Sequence, residues 1–181
     1  FGRTLNSRMD LGSPRDGEVI EGVRLFVAGD HFSRSVDPSR VSDSFDIDGV
    51  GVTAGVEFGL GSNGLVGIAG NASRAKAKLD NLSSNSKAST RQLGAYAAFA
   101  LGPLFVQGHA GLGQSDYDIS RAAVVDRLSA SPDGKHVLAG LKGGFLAPVG
   151  PFRLGPVIAV DYARASVDGY TESGDGALAL N

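Results

Sequence analysis

The sequence predicts an all-β fold, an antiparallel up-and-down transmembrane β-barrel, on three observations. Apolar residues alternate with small or polar ones over segments of about 9 to 11 residues, the length a tilted membrane strand needs. The connections alternate between short Gly/Pro/Asn turns, around 62, 103 and 149, and long polar stretches, around 39, 84 and 125. Each alternating segment is apolar beside the short turn and grows polar toward the long one, as expected of strands that continue beyond a bilayer on one side.

Residues 1–20 form a leader. Leu5, Met9 and Leu11 have helical spacing, and Gly12, Ser13 and Pro14 end it, so a short helix is expected there. From residue 21 to 181 the pattern is strand-like. The clearest strand sets Val50, Val52, Ala54, Val56, Phe58 and Leu60 against Gly51, Thr53, Gly55, Glu57 and Gly59. After the Gly61–Gly64 turn, Leu65 to Leu79 ends on the basic residues Arg74, Lys76 and Lys78. Asp80 to Ser89 is expected to be a long loop. Leu93 to Leu101 and Leu104 to Leu112 then alternate on either side of Gly102-Pro103, and a second long excursion is expected from Ser115 to about Lys135. Val137 to Phe145 and Leu154 to Tyr162 complete the set, about seven to eight strands in all.

One parity of these strands is continuously apolar and is assigned to lipid. The other is assigned to a lumen lined by Arg24, Asp30, Thr53, Glu57, Gln92, Tyr96, His109, Lys142, Arg153 and Asp161. Their mixed signs argue against a strongly ion-selective pore. A soluble sandwich or lipocalin-like barrel also alternates, but its second face is a solvated surface rich in Lys and Glu, whereas here that face is Gly, Ala, Thr and single charges. The chain has no Trp. Phe26, Phe32, Phe58, Phe99, Phe145, Phe152 and Tyr162 are the candidates for the aromatic girdles such barrels carry.

Composition removes several function classes. A net charge of -2 over 181 residues leaves no basic stripe for nucleic acid. The absence of Cys removes disulfides, thiolate metal sites and Cys nucleophiles. No apolar run is long enough for a membrane helix, and the N-terminal FGRTLNSRMD lacks the layout of a signal peptide.

No catalytic residue, metal site or cofactor is expected. There is no Gly-x-Ser-x-Gly elbow. His31, His109 and His136 are never at metal spacing, and His109 falls on the polar face of a strand with no adjacent nucleophile. Asp46, Asp48, Gly51 and Glu57 mimic a calcium loop, but Val50 occupies a ligand position and no helices flank it. Gly49, Gly51 and Ala54 mimic a dinucleotide fingerprint without the helix that would bind phosphate. The Arg74/Lys76/Lys78 run reads first as a solvated strand end and second as a contact for acidic lipopolysaccharide.

Three stretches resemble a known family. GVRLFVAGDHF, followed by FDIDGVGVTAGVEFGLGSNGLVGIAGNAS, resembles the opening strands of autotransporter (type V secretion) translocator domains of the GDSL-esterase type. RQLGAYAAFALGPLFVQGHAGLG is similar to their middle strand pair. LGPVIAVDYARASVDGYTESGDGALAL is the most distinctive, a strand ending in Tyr that runs into a V-D-G-[FY]-x-E loop. The resemblance covers about residues 21 to 181. It implies a twelve-stranded outer-membrane barrel with an N-terminal helix in its pore and a passenger upstream, where any serine esterase chemistry resides. The sequence departs from that pattern by stopping after about seven strands, without the terminal aromatic residue, so a C-terminally incomplete barrel is expected.

The function implied is a pore that anchors and exports a passenger. The partners implied are outer-membrane lipid and lipopolysaccharide, the passenger segment in cis and the outer-membrane assembly machinery, with self-association through open edges and no nucleic acid. Two rival readings differ in class. One is a small eight-stranded anchor or adhesin barrel. The other is a barrel enzyme, which would need a nucleophile near His31, His109 or His136 at the outer rim.

Overall fold

The computed structural model describes residues 1–10, 18–20, 22–36, 45–79, 84–122 and 127–173. Residues 11–17, 21, 37–44, 80–83, 123–126 and 174–181 lie outside this description, and with them the helix end expected at Gly12, Ser13 and Pro14.

A seven-residue helix, α1 (Gly2–Arg8), precedes the strands. The strands are β1 (Glu18–Ile20), β2 (Val23–Val36), β3 (Phe45–Leu60), β4 (Gly64–Leu79), β5 (Ser84–Leu101), β6 (Leu104–Ala122), β7 (Arg127–Ala130), β8 (Asp133–Phe145), β9 (Ala147–Val149), β10 (Phe152–Leu154) and β11 (Val157–Val167). β1-β2-β3-β4-β5-β6-β8-β11 form one sheet, with β7 on the flank of β6, and every pairing is antiparallel. Neighbours in sequence are neighbours in space, as an up-and-down meander requires. Among the described residues β1 and β11 are the edges of this sheet, which is therefore open.

The register carries the face assignment across all the long strands. Leu25, Val56, Ile68, Ala95, Ala110, Ala139 and Tyr162 stand in one cross-strand row. The next row toward the long connections is Val27, Ala54, Gly70, Leu93, Leu112, Val137 and Arg164. This face is bare, with Leu93 59%, Leu112 62% and Ile158 75% exposed. A contiguous apolar surface of that extent marks contact with something other than water. Phe58, Phe99 and Phe145 lie on it beside the short turns.

The opposite face is buried and polar. Thr53 is 0% and Glu57 2% exposed, and Asn71 is buried as well. Leu5, Met9, Phe26, Leu65, Ala69, Tyr96 and Ala98 form an apolar cluster between α1 and this face. Helix α1 reaches β2 through Phe26, β3 through Glu57, β4 through Leu65, β5 through Tyr96 and β6 through Gln107. Five adjacent strands span about 19 Å at the usual spacing, against a helix diameter of about 10 to 12 Å. The sheet meets one short helix on all five strands because it curls around it, which makes this the concave face.

Glycine makes that curl and filling compatible. Phe26 lies opposite Gly55, Phe32 opposite Gly49, Tyr96 opposite Gly67, His109 opposite Gly140 and His136 opposite Gly113. In each pair a Cβ on the glycine would run into the facing ring. Large rings lie flat across the concave face because their neighbours have no side chain. At the short turns Gly61, Gly102 and Gly150 have φ of 64°, 58° and 60°, the left-handed region that favours glycine.

Three expectations change. The stretches expected as loops at Asp80–Ser89 and Ser115–Lys135 are largely strand, since β5 begins at Ser84, β6 runs to Ala122 and β8 begins at Asp133. Outside hydrocarbon both faces of a strand meet water, so the apolar alternation fades while the backbone ladder continues. The strand expected from Leu154 to Tyr162 is broken. Leu154 belongs to a small β9–β10 hairpin, and β11 begins only after Gly155-Pro156, where Pro156 lacks an N–H and its carbonyl accepts from Phe145 N at 3.0 Å. Phe26 and Phe32 lie on the concave face and belong to no girdle. The calcium-loop mimic is divided between faces, with Asp46 and Asp48 outward and Gly51 and Glu57 inward.

The concave face and the helix it holds

One row of residues crosses the concave face toward the short-turn ends of the strands: Arg24, Glu57, Gly67, Tyr96, His109, Gly140 and Asp161. Its centre is Glu57. Arg8 of α1 donates to it twice, from Nε to Oε1 at 2.7 Å and from Nη2 to Oε2 at 2.8 Å. Tyr96 donates its hydroxyl to Oε1 at 2.8 Å, and Arg24 Nη1 stands 3.9 Å from Oε2. A carboxylate this buried needs a cation and several donors to offset its desolvation. The planar guanidinium of Arg8 supplies the matching two-pronged geometry. Its Cζ lies 4.3 Å from the centre of the Phe26 ring, so the same group is held by charge at its edge and by an aromatic ring at its face. Arg24 Nε is buried without a hydrogen-bond partner among the described residues.

A second polar group lies beside the first turn of the helix. Thr4 Oγ1 donates to both oxygens of Asp30, at 3.3 and 3.5 Å, and Thr53 Oγ1 donates to Asp30 Oδ2 at 3.4 Å. Asn71 Nδ2 donates to Thr53 Oγ1 at 2.9 Å and to the carbonyl of Val52 at 3.1 Å. At the other end of the helix Gln107 Nε2 donates to the carbonyl of Met9 at 2.9 Å. That carbonyl belongs to the last turn and has no partner within the helix, so the strand caps it. Phe1 inserts its ring over Gly94 and Gly111, where a Cβ would come within 3.0 to 3.2 Å of it. A short isolated helix is marginal in water. This one is held at both ends and in the middle by sheet residues.

Nine of the ten residues assigned to the lumen share the concave face: Arg24, Asp30, Thr53, Glu57, Gln92, Tyr96, His109, Lys142 and Asp161. Arg24, Asp30, Thr53, Glu57 and Tyr96 gather around α1. Gln92, His109, Lys142 and Asp161 lie on the same face beside those two clusters, Gln92 opposite Asn71 and His109 opposite Tyr96, with Lys142 5.8 Å from the centre of the Phe105 ring. Arg153 is the exception. It sits on β10, outside the sheet, and its Nη2 donates to the carbonyl of Gly102 at 3.4 Å. Parity carried on from β11 cannot register the break at Pro156.

Arg8, Thr4 and Asn71 escape a reading by alternation, and Gln107, which alternation puts on the polar face of its strand, is not among the residues assigned to the lumen. The first two lie in the leader. Asn71 stands in a run of Gly and Ala whose two faces look alike in sequence, and Gln107 shares its face with Lys142 without any distinguishing neighbour. A lone carboxylate on a strand face otherwise free of acids was the available signal for a cation, and Arg8 next to the buried Met9 was the candidate.

An open antiparallel sheet, apolar on its convex side and polar on its concave side, with a helix from its own N-terminus held inside, defines the class of translocator β-domains. Residues 25–181 match the autotransporter beta-domain family, and the chain belongs to it. The solved translocator domain of autotransporter NalP from Neisseria meningitidis is similar in fold, with a TM-score of 0.77 at 21% identity, covering 98% of this chain. The chain spans 61% of the length of that solved chain. No curated protein matches it.

Proposed function

We propose that this chain is the outer-membrane translocator of a type V secretion protein, the barrel pore that anchors and exports an N-terminal passenger. The carrying observation is the course of the chain. The segment just upstream of the strands is the helix in the lumen, where Arg8 meets Glu57, so whatever precedes Phe1 leads out of the same conduit. The convex rows of Val, Leu, Ile and Phe meet lipid. Arg24, Asp30, Thr53, Glu57, Gln92, Tyr96, His109, Lys142 and Asp161 line the passage, with α1 filling its β2–β6 side. The strand ends that carry long connections face the cell exterior, and the short turns face the periplasm.

We assign the chain no reaction. Any hydrolytic chemistry belongs to the passenger, and what this chain contributes is a lipid-matched exterior and a polar interior.

The test is site-directed labelling in intact outer membranes. A water-soluble thiol reagent should leave Val56→Cys on the convex face unmodified and should label Lys142→Cys, which is exposed on the concave face. An epitope placed upstream of Phe1 in the parent protein should be cleaved by external protease. Equal labelling of the two cysteines, or an epitope that stays protected in intact cells, refutes the translocator reading.

A further inference from the structure

The convex face changes character over two rows. Above the apolar row of Val27 to Val137 comes Gly29, Val52, Ala72, Arg91, Gln114 and Lys135, and above that His31, Val50, Arg74, Ser89, Asp116 and Asp133. The third row holds Lys76 and Lys87 directly opposite each other. Arg74, Lys76, Lys87 and Arg91 are all exposed, on two adjacent strands, immediately beyond the apolar surface.

Two features of this ribbon lack an internal explanation. Like charges facing each other across an antiparallel pair are destabilising. The ion pairs shown among the described residues are those of Glu57 with Arg8 and Arg24, and none involves the ribbon. Asp48 lies opposite Lys76 and Asp118 opposite Lys87, which moderates the lysines. The arginines have no carboxylate directly opposite, since Arg74 faces Val50 and Ser89, and Arg91 faces Ala72 and Gln114, and the hollow they line is closed on its β6 side by Asp116 and Asp118. Two guanidiniums at the upper limit of an apolar belt, backed by two ammoniums, suit an anion that presents several oxygens at the depth of the lipid headgroups.

We propose that Arg74, Arg91, Lys76 and Lys87 form a docking surface for the phosphate groups of lipopolysaccharide in the outer leaflet. The proposal rests on the translocator reading for its orientation, with the convex face in lipid and the long connections outside. The acyl chains of the bound lipid lie along Val52, Ala72 and Leu93, and its phosphates neutralise the facing lysines. The flanking carboxylates confine the positive surface to β4 and β5, so one lipid is held at one place on the circumference.

The test uses the intact outer-membrane protein in mild detergent, titrated with bisphosphorylated lipid A and with its dephosphorylated form, and read by native mass spectrometry. The unaltered protein should retain the bisphosphorylated lipid and bind the dephosphorylated one much more weakly. Arg74→Gln/Arg91→Gln should weaken retention at least about tenfold. Lys135→Gln, which removes a cation from the same face but a different strand, should leave it unchanged. Heat-dependent gel mobility shows whether each variant has assembled. If the double variant fails to assemble, the comparison of the two lipids on the unaltered protein still decides. Equal retention of both lipids, or unchanged retention by an assembled double variant, overturns the proposal. Failure of the translocator reading would appear separately, as labelling of Val56→Cys.

Discussion

Glu57 shows how one side chain can tie two elements together. Removing Arg8 leaves a buried carboxylate with Tyr96 and a distant Arg24, while removing Glu57 leaves two guanidiniums facing each other. Either single change should destabilise the docked helix by about 3 kcal/mol. The pair should be strongly non-additive, with a coupling of roughly 1 to 3 kcal/mol between Arg8→Gln and Glu57→Gln. A double-mutant cycle on thermal midpoints, read from heat-dependent gel mobility, measures this. Additive losses would show that the 2.7 and 2.8 Å contacts contribute no specific coupling. The sequence placed Glu57 and Thr53 on the inner parity but gave no sign of what covers them. Thr53 is polar and lumen-side, yet fully buried beneath the helix. Alternation reports the face a residue points to, and only the docking of a distant segment decides whether water reaches it.

At the scale of the element, the strands are legible where hydrocarbon imposes a pattern and illegible where it does not. Between Val50 and Leu60 the two parities differ so sharply that the face assignment follows from sequence. Through Ser84 to Arg91 both parities are polar or small, and from Ser115 to Ser120 the outer parity is Asp116, Asp118 and Ser120, so the ladder continues without an apolar outer row to announce it. The break at Gly155-Pro156 escapes for the opposite reason, because Leu154 and Ile158 keep parity across it. The apolar row of Leu25, Val56, Ile68 and Ala95 makes a direct test. Val56→Arg puts a charge near the centre of the belt and should destabilise the assembled protein by roughly 2 to 4 kcal/mol. Loss of the heat-modifiable band in membranes is the expected readout. A wild-type level of assembly would mean that this face does not contact hydrocarbon.

For the whole molecule the decisive feature is what surrounds the sheet. The family implied by the sequence and the architecture agree on a curled, lipid-matched sheet around a helix, yet among the described residues β11 pairs only with β8, and it is exposed on both faces along its full 11 residues. In water such an edge is tolerable. In hydrocarbon each unpaired N–H or C=O costs several kcal/mol, so a membrane-embedded β11 has a partner along its outer edge. In an antiparallel strand, successive amides point to opposite neighbours, and an unpaired edge therefore exchanges its amide hydrogens in alternation, one slow and the next fast. Hydrogen exchange on the membrane-embedded parent protein distinguishes the two cases. Uniform protection from Val157 to Val167, comparable to that of β4, is the expected result and means that a further strand completes the ladder. Alternating protection would mean that the edge stays open and is covered by detergent, lipid headgroups or water, and would place β11 outside the hydrocarbon core despite the apolar parity of Ile158, Val160 and Tyr162.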